Sequence, residues 1–266
     1  MRALYASLGA AVLLAATAAA VGGCKCGARS GVEGDAAALL APLEAKSWRE
    51  EIPLERFGPA SVSVPLGTTG PRPIVIVLHG DADRPEWQCG TWRHIAGPDQ
   101  FVLAPRGLPR DKGPLRAARF TFGGFDQTQQ ELRAALGALK YRYGSYVASG
   151  SVVLVGFTLG AAHALELARR EPAFFSRVVL VSPEPKPWTS ALAAIFAQRG
   201  GQRVLFACLN PACHDAARRS SLFIERAGAE AKVVGAAGAR GLDKRLIAEL
   251  KKEWPWVTSG DARFAQ

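Results

Sequence analysis

Thirteen consecutive residues limit what this chain can fold into: Ser151-Val152-Val153-Leu154-Val155-Gly156-Phe157-Thr158-Leu159-Gly160-Ala161-Ala162-His163. The Val152 to Val155 run is apolar on both faces, as a strand buried within a sheet requires. The alanine-rich segment that follows reads as the start of a helix. Gly156 and Gly160 bracket Thr158 with one residue on each side. Glycine is needed at such a turn because the strand and helix backbones approach too closely for a side chain. A buried strand that turns sharply into a helix is the unit of a parallel sheet covered by helices.

The rest of the chain repeats that alternation. Residues 61–65 alternate polar and apolar side chains and read as an edge strand. Residues 74–78 are β-branched on both faces, as in a central parallel strand, and end in His79-Gly80-Asp81. A second buried strand at 101–104 closes on Pro105-Arg106-Gly107. Residues 126–143 carry Leu132, Leu136 and Leu139 on one helical face. Further strands are expected at 178–181, 204–208 and 232–234, with helices at 188–198, 214–227 and 242–254. The fold class is therefore α/β: a mostly parallel central sheet with helices on both faces, in a single domain over residues 48–258. A chain of 266 residues, 48% hydrophobic, can bury such a core. Residues 24–47 read as a tether and linker leading into a short helix, and 259–266 as a C-terminal tail.

A Gly-x-Thr-x-Gly turn between that strand and that helix resembles the nucleophile elbow of the α/β-hydrolase family, with Thr158 where the family places serine. The resemblance covers roughly residues 60–255. The turn at 105–107 is similar to that of exported feruloyl-esterase and polyester-depolymerase-like members. The resemblance implies an oxyanion hole built from the backbone N–H of Leu159 and that of Gly80 or Asp81, with His79 structural beside it. It also implies a histidine base in the loop after the last strand. That loop, residues 235–241, reads Gly-Ala-Ala-Gly-Ala-Arg-Gly.

The four histidines of the chain must be weighed against that gap. His79 has its place near the oxyanion hole, and His94 lies in a Trp-rich loop upstream. His163, five residues past Thr158 on the following helix, points away from the turn and is packed or exposed. His214 follows the penultimate strand, where the family carries its acid; Asn210 lies nearest that position and Asp215 is the nearest carboxylate. His214 with Asp215 is thus the candidate for a relocated base. Threonine itself is a poor substitute nucleophile, because its methyl crowds the elbow. Thr158 is also internal, so it has no terminal amine to serve as base. Trp87, Cys89 and Trp92 form an aromatic loop where the family lines its cleft, and with Arg84 and Arg93 could meet a sugar or an acidic group.

Three functions remain open. One is a ligand-binding protein with a degenerate triad, whose ligand is a small molecule, an ester or a glycan. Another is an ester or peptide hydrolase using Thr158 with an unconventional base. The third is a structural envelope lipoprotein. No cofactor and no metal is expected.

The N-terminus carries an export signal: Arg2, then an apolar segment at 8–21 too short for a good membrane span. Val21-Gly22-Gly23-Cys24 resembles a bacterial lipobox, which implies a signal peptide over 1–23 and a lipidated Cys24; cleavage elsewhere as an ordinary secretory signal is the alternative. The mature protein would then stand at the bacterial cell envelope, on the outer membrane or the periplasmic face. Lys25 favours outer-membrane sorting by the same resemblance. Four cysteines remain in an oxidising compartment. Cys208 and Cys213 are the first choice for a disulfide, which leaves Cys26 and Cys89. Cys-x4-Cys-His, with His214, is not a usual zinc spacing. The net charge of +10 comes from scattered arginines without a stacking-aromatic motif, so no nucleic-acid partner is expected.

Overall fold

The computed structural model describes residues 40–265 apart from 112, 115, 187, 237, 238 and 240. The expected signal peptide, the lipobox-like stretch with Cys24, and Cys26 lie outside the described residues. Among those described, residues 40–46 contain no helix, so the expected short helix before Trp48 is absent from that part. No helix of the described residues is long and apolar enough to cross a membrane.

Eight strands form one sheet: β1 (Arg49–Ile52), β2 (Ala60–Ser63), β3 (Ile74–Leu78), β4 (Phe101–Ala104), β7 (Val153–Phe157), β8 (Arg177–Val181), β9 (Arg203–Cys208) and β10 (Glu230–Gly235). The strands β5 (Leu108–Pro109) and β6 (Phe120–Thr121) pair separately as a small antiparallel ribbon. The order across the sheet is β1-β2-β4-β3-β7-β8-β9-β10. From β4 to β10 every pairing is parallel, whereas β1 and β2 run antiparallel to their neighbours.

Six helices cover the sheet: α1 (Pro85–Ala96), α2 (Phe125–Tyr143), α3 (Leu159–Arg170), α4 (Ser190–Gln198), α5 (Pro211–Arg226) and α6 (Lys244–Thr258). The alternation of strand side chains splits the core in two. Ile74, Ile76 and Leu78 of β3 and Leu154 of β7 pack with Leu139, Leu167 and Phe196 of α2, α3 and α4. Val75, Val77, Val153 and Val155 face the other way, onto Trp92 of α1 and Leu246, Leu250 and Trp254 of α6. Each of these large side chains contributes about 1.5–3 kcal/mol when fully buried.

Three expectations need correction. Residues 61–65 do not form an edge strand: β2 lies between β1 and β4, and all four of its residues are buried. Its serines mimic an exposed face, but Ser63 accepts a hydrogen bond from Arg93 of α1 at 2.9 Å. Trp87, Cys89, Trp92 and His94 stand on α1 rather than in a loop, started by Pro85 in the first turn, where a proline costs no hydrogen bond. Of the remaining cysteines, Cys89 is free and buried, its Sγ 3.6 Å from the Val102 carbonyl oxygen. Burial pushes its thiol up to about 12, which leaves it inert. Cys208 and Cys213, in contrast, are joined by a disulfide.

Candidate functional site

The carboxyl edge of the parallel strands is where a sheet of this kind gathers its ligands. Three residues other than glycine have positive φ among those described: Ala82 (54°), Thr158 (48°) and Ser182 (47°). All three follow the carboxyl ends of adjacent strands, β3, β7 and β8. Thr158 is β-branched, for which this backbone is a true outlier costing on the order of 1–3 kcal/mol. Its amide donates to the Val181 carbonyl at 2.9 Å, which ties the turn to β8.

The close packing around Thr158 explains the two glycines. A Cβ on Gly156 would collide with the Gly160 carbonyl oxygen and the Ala161 backbone, and one on Gly160 with the Leu78 carbonyl oxygen. Thr158 is the N-cap residue of α3, yet its hydroxyl makes no capping bond. Oγ1 instead lies against Gly80, where an added Cβ would stand 2.5 Å away. No side chain among the described residues hydrogen-bonds that hydroxyl. Leu159 heads α3, so its N–H has no intrahelical acceptor and is free to face a ligand.

The loop bearing Gly80 is fixed from below. The fully buried His79 ring sits between two backbone oxygens, with Nδ1 2.7 Å from the Gly80 carbonyl and Nε2 2.8 Å from that of Arg106. Both ring nitrogens are thereby committed. Glu131 of α2, also buried, accepts from the Arg106 and Gly107 amides at 2.9 and 2.8 Å. Burial pushes its carboxyl up, and those two N–H donors oppose the rise. The Arg106 guanidinium reaches Glu86 and Glu51, each at 2.6 Å, and the Pro59 carbonyl at 2.7 Å. The turn at 105–107 is thus a buried polar hub that clamps the β3 loop. Gly107 has φ +74°, and a Cβ there would strike the Thr121 backbone, so this clamp also requires glycine. Asp81, beside Gly80, is exposed and pairs with Arg110 at 2.7 Å.

His163 is packed rather than exposed. It lies edge-on to Phe122 at 5.7 Å and stacks with Phe125 at 6.2 Å, while Phe122 stacks on His79 at 4.4 Å. Its Nε2 is buried without a hydrogen-bond partner. Desolvation accordingly lowers its pKa.

His214 and Asp215 lie elsewhere. α5 starts three residues earlier than expected, because Asn210 accepts from the Cys213 amide at 2.9 Å and Pro211 opens the helix. His214 therefore rides on the first turns of α5, with Nε2 against Gly235 at the end of β10. Three strand spacings, about 14 Å, separate β7 from β10. Thr158 Oγ1 faces the opposite neighbour, β3. His214, Asp215, Asn210 and Arg218 line an open depression beside the disulfide. The structure brings together Thr158, Leu159, Gly80 and His79; it leaves His214 and Asp215 apart from them. His94 is exposed on α1, away from this edge.

Sequence reasoning missed the Glu131 and Arg106 hub and the ring stack of His79, Phe122 and His163. A glutamate on the leucine-bearing face of α2, one residue before Leu132, was the available signal for the first. The second depends on the β5–β6 ribbon, which brings Phe122 onto His79 and has no local pattern.

The fold these elements define is that of the α/β-hydrolases, a mostly parallel eight-stranded sheet with an elbow after its central strand. Solved structures agree. A thermostable esterase superposes with a TM-score of 0.54 at 12% identity, over 79% of this chain and 61% of the other. This chain thus spans about three-fifths of that esterase. A ferulic acid esterase matches with a TM-score of 0.55 at 12% identity, covering 79% of this chain and 96% of the enzyme. A dienelactone hydrolase-like promiscuous phosphotriesterase, P91 from metagenomic libraries, matches at 0.53 and 18%, over 79% and 96%. No protein-family model matches the chain, and no curated protein sequence does.

Proposed function

We propose that this chain is a lipid-anchored protein of the bacterial cell envelope that binds a small molecule, ester or glycan at the carboxyl edge of the sheet around Thr158 without hydrolysing it. One observation carries the reading. The elbow backbone is intact at Thr158, but among the described residues no side chain hydrogen-bonds its hydroxyl, which rests on Gly80, and both ring nitrogens of His79 face backbone carbonyl oxygens. General-base catalysis needs the base within about 3 Å of the proton it removes. The Leu159 amide remains a donor for an anionic or carbonyl oxygen, which suits binding. The apolar segment at 8–21 directs export, and the lipid on Cys24 supplies the anchor once that segment is removed.

The rival reading, a hydrolase using Thr158, is favoured by one feature: a β-branched residue kept at φ 48°, a strain that clusters at active sites. A steady-state assay separates the two. Full-length protein in detergent, with Thr158→Ser and Thr158→Ala, is given short-chain nitrophenyl esters. The binding reading expects wild type and Thr158→Ala to match the uncatalysed rate. Turnover that Thr158→Ala abolishes would establish the hydrolase instead. For the anchor, metabolic labelling with palmitate is expected to tag the wild type and not Cys24→Ala, and an unlabelled wild type would refute lipidation.

A further inference from the structure

Between α3, β8, β9 and α5 lies a cavity of about 120 Å³. Its apolar walls include Ala161 and Leu165 of α3, Leu180 of β8, Phe206 of β9 and Ala217 of α5, with Trp188 beside them. Thr158 does not border it. An engineered protein cavity of roughly 150 Å³ with similar walls stays dry and takes up benzene, so this volume suits a ligand of about five or six carbons.

Trp188 makes the cavity more than a packing defect. The residue is 3% exposed, and its indole Nε1 has no hydrogen-bond partner. A buried donor left unpaired loses its hydration without return, which native structures avoid. The ring is nevertheless held firmly. Its backbone amide donates to Ser220 Oγ at 2.9 Å, and the indole packs edge-on against Phe196 at 5.4 Å and Phe206 at 6.3 Å. The charged groups that line the cavity, Glu184 and Lys186, are exposed and neutralise each other at 3.0 Å. No buried charge among the lining residues would compensate an ionised ligand for its lost water.

We propose that this cavity binds a small uncharged ligand: an apolar ring or short chain bearing one acceptor oxygen, which receives the Trp188 Nε1–H hydrogen bond. Thr158 is not among the residues that line it, so the site stands whether or not Thr158 is catalytic.

The test uses cyclopentanone and cyclopentane as probes on the full chain in detergent, labelled with ¹⁵N. Six indole N–H resonances are followed, one per tryptophan, and that of Trp188 is identified by its loss in Trp188→Phe. Cyclopentanone is expected to move the Trp188 resonance downfield and to saturate. Cyclopentane is expected to leave its hydrogen-bond shift unchanged. Saturation-transfer titration is expected to show cyclopentanone about five-fold weaker in Trp188→Phe, the size of one lost hydrogen bond. Ala217→Leu, which fills the space, is expected to abolish the shift. A Trp188 resonance that never moves, a matching shift from cyclopentane, or equal affinity in Trp188→Phe would overturn the proposal. Trp188→Phe keeps the aromatic packing, so the outcome does not depend on Ala217→Leu folding. Repeating the titration in Thr158→Ala is expected to change nothing, which separates this site from the cleft.

Discussion

The two halves of the carboxyl edge are built differently. At the β3–β7 half, glycines and backbone hydrogen bonds hold the elbow, and the clamp beneath it runs through Arg106, Glu131 and His79. At the β9–β10 half, a disulfide and a capped helix occupy the region, and the only histidine there faces Gly235. The first half is specified by backbone geometry, which many side chains can accompany. The second would have to supply a side chain at a particular point, and a few substitutions remove it. The elbow is therefore held without any histidine presented to it from the β9–β10 half.

Variants put that difference at risk, and the largest effect is expected at the elbow. Gly160→Ala drives a methyl into the Leu78 carbonyl, so β3 and α3 must part. We expect a loss of about 3 kcal/mol or more, read as a lower midpoint in urea unfolding. A loss below about 1 kcal/mol would mean the turn is slack. At the other half, Cys208→Ser with Cys213→Ser opens a loop with a sequence separation of 5. Loop-closure entropy puts that cost at about 2 kcal/mol, measurable in the same experiment.

Thr158→Gly bears on the same contrast with the opposite sign. Glycine accepts φ 48° freely, so releasing the strain is expected to stabilise by about 1 kcal/mol after glycine's own entropic penalty. A destabilised Thr158→Gly would show that the threonine methyl and hydroxyl contribute packing that outweighs the strain.

The smallest effect concerns pH. His163 is desolvated and its pKa is lowered in the fold, so the unfolded chain takes up the proton first. Its contribution is whole above about 6.5, the unfolded value, and is lost as pH falls below that. His163→Phe is expected to flatten the decline in stability between about pH 6.5 and 5, where most carboxylates have yet to titrate. An unchanged slope would assign the decline to other groups.

Much of this was legible in the sequence. The strands at 74–78, 101–104 and 204–208 are short apolar runs whose two-sided burial leaves no helical alternative, and the Gly-x-Thr-x-Gly spacing specified the elbow. The disulfide followed from proximity in sequence. What stayed hidden depends on long-range neighbours. The serines of β2 look solvent-facing until Arg93 arrives from α1, and α1 itself looks like a loop because Gly90 and the tryptophans obscure its periodicity. The site was legible only in part. The elbow spacing put Thr158 at the turn, the resemblance left Gly80 or Asp81 for the loop after β3, and the structure sets Thr158 Oγ1 against Gly80. That the Thr158 hydroxyl turns toward β3, and His214 toward β10, depends on packing across the sheet.

If Thr158 is an elbow residue without nucleophilic chemistry, it must ignore a reagent that traps activated hydroxyls. Intact-protein mass spectrometry after exposure to a fluorophosphonate measures this directly, since an activated hydroxyl is phosphonylated whatever its natural substrate. The wild-type protein is expected to keep its unmodified mass. A stoichiometric adduct that maps to Thr158 and disappears in Thr158→Ala would contradict the binding role.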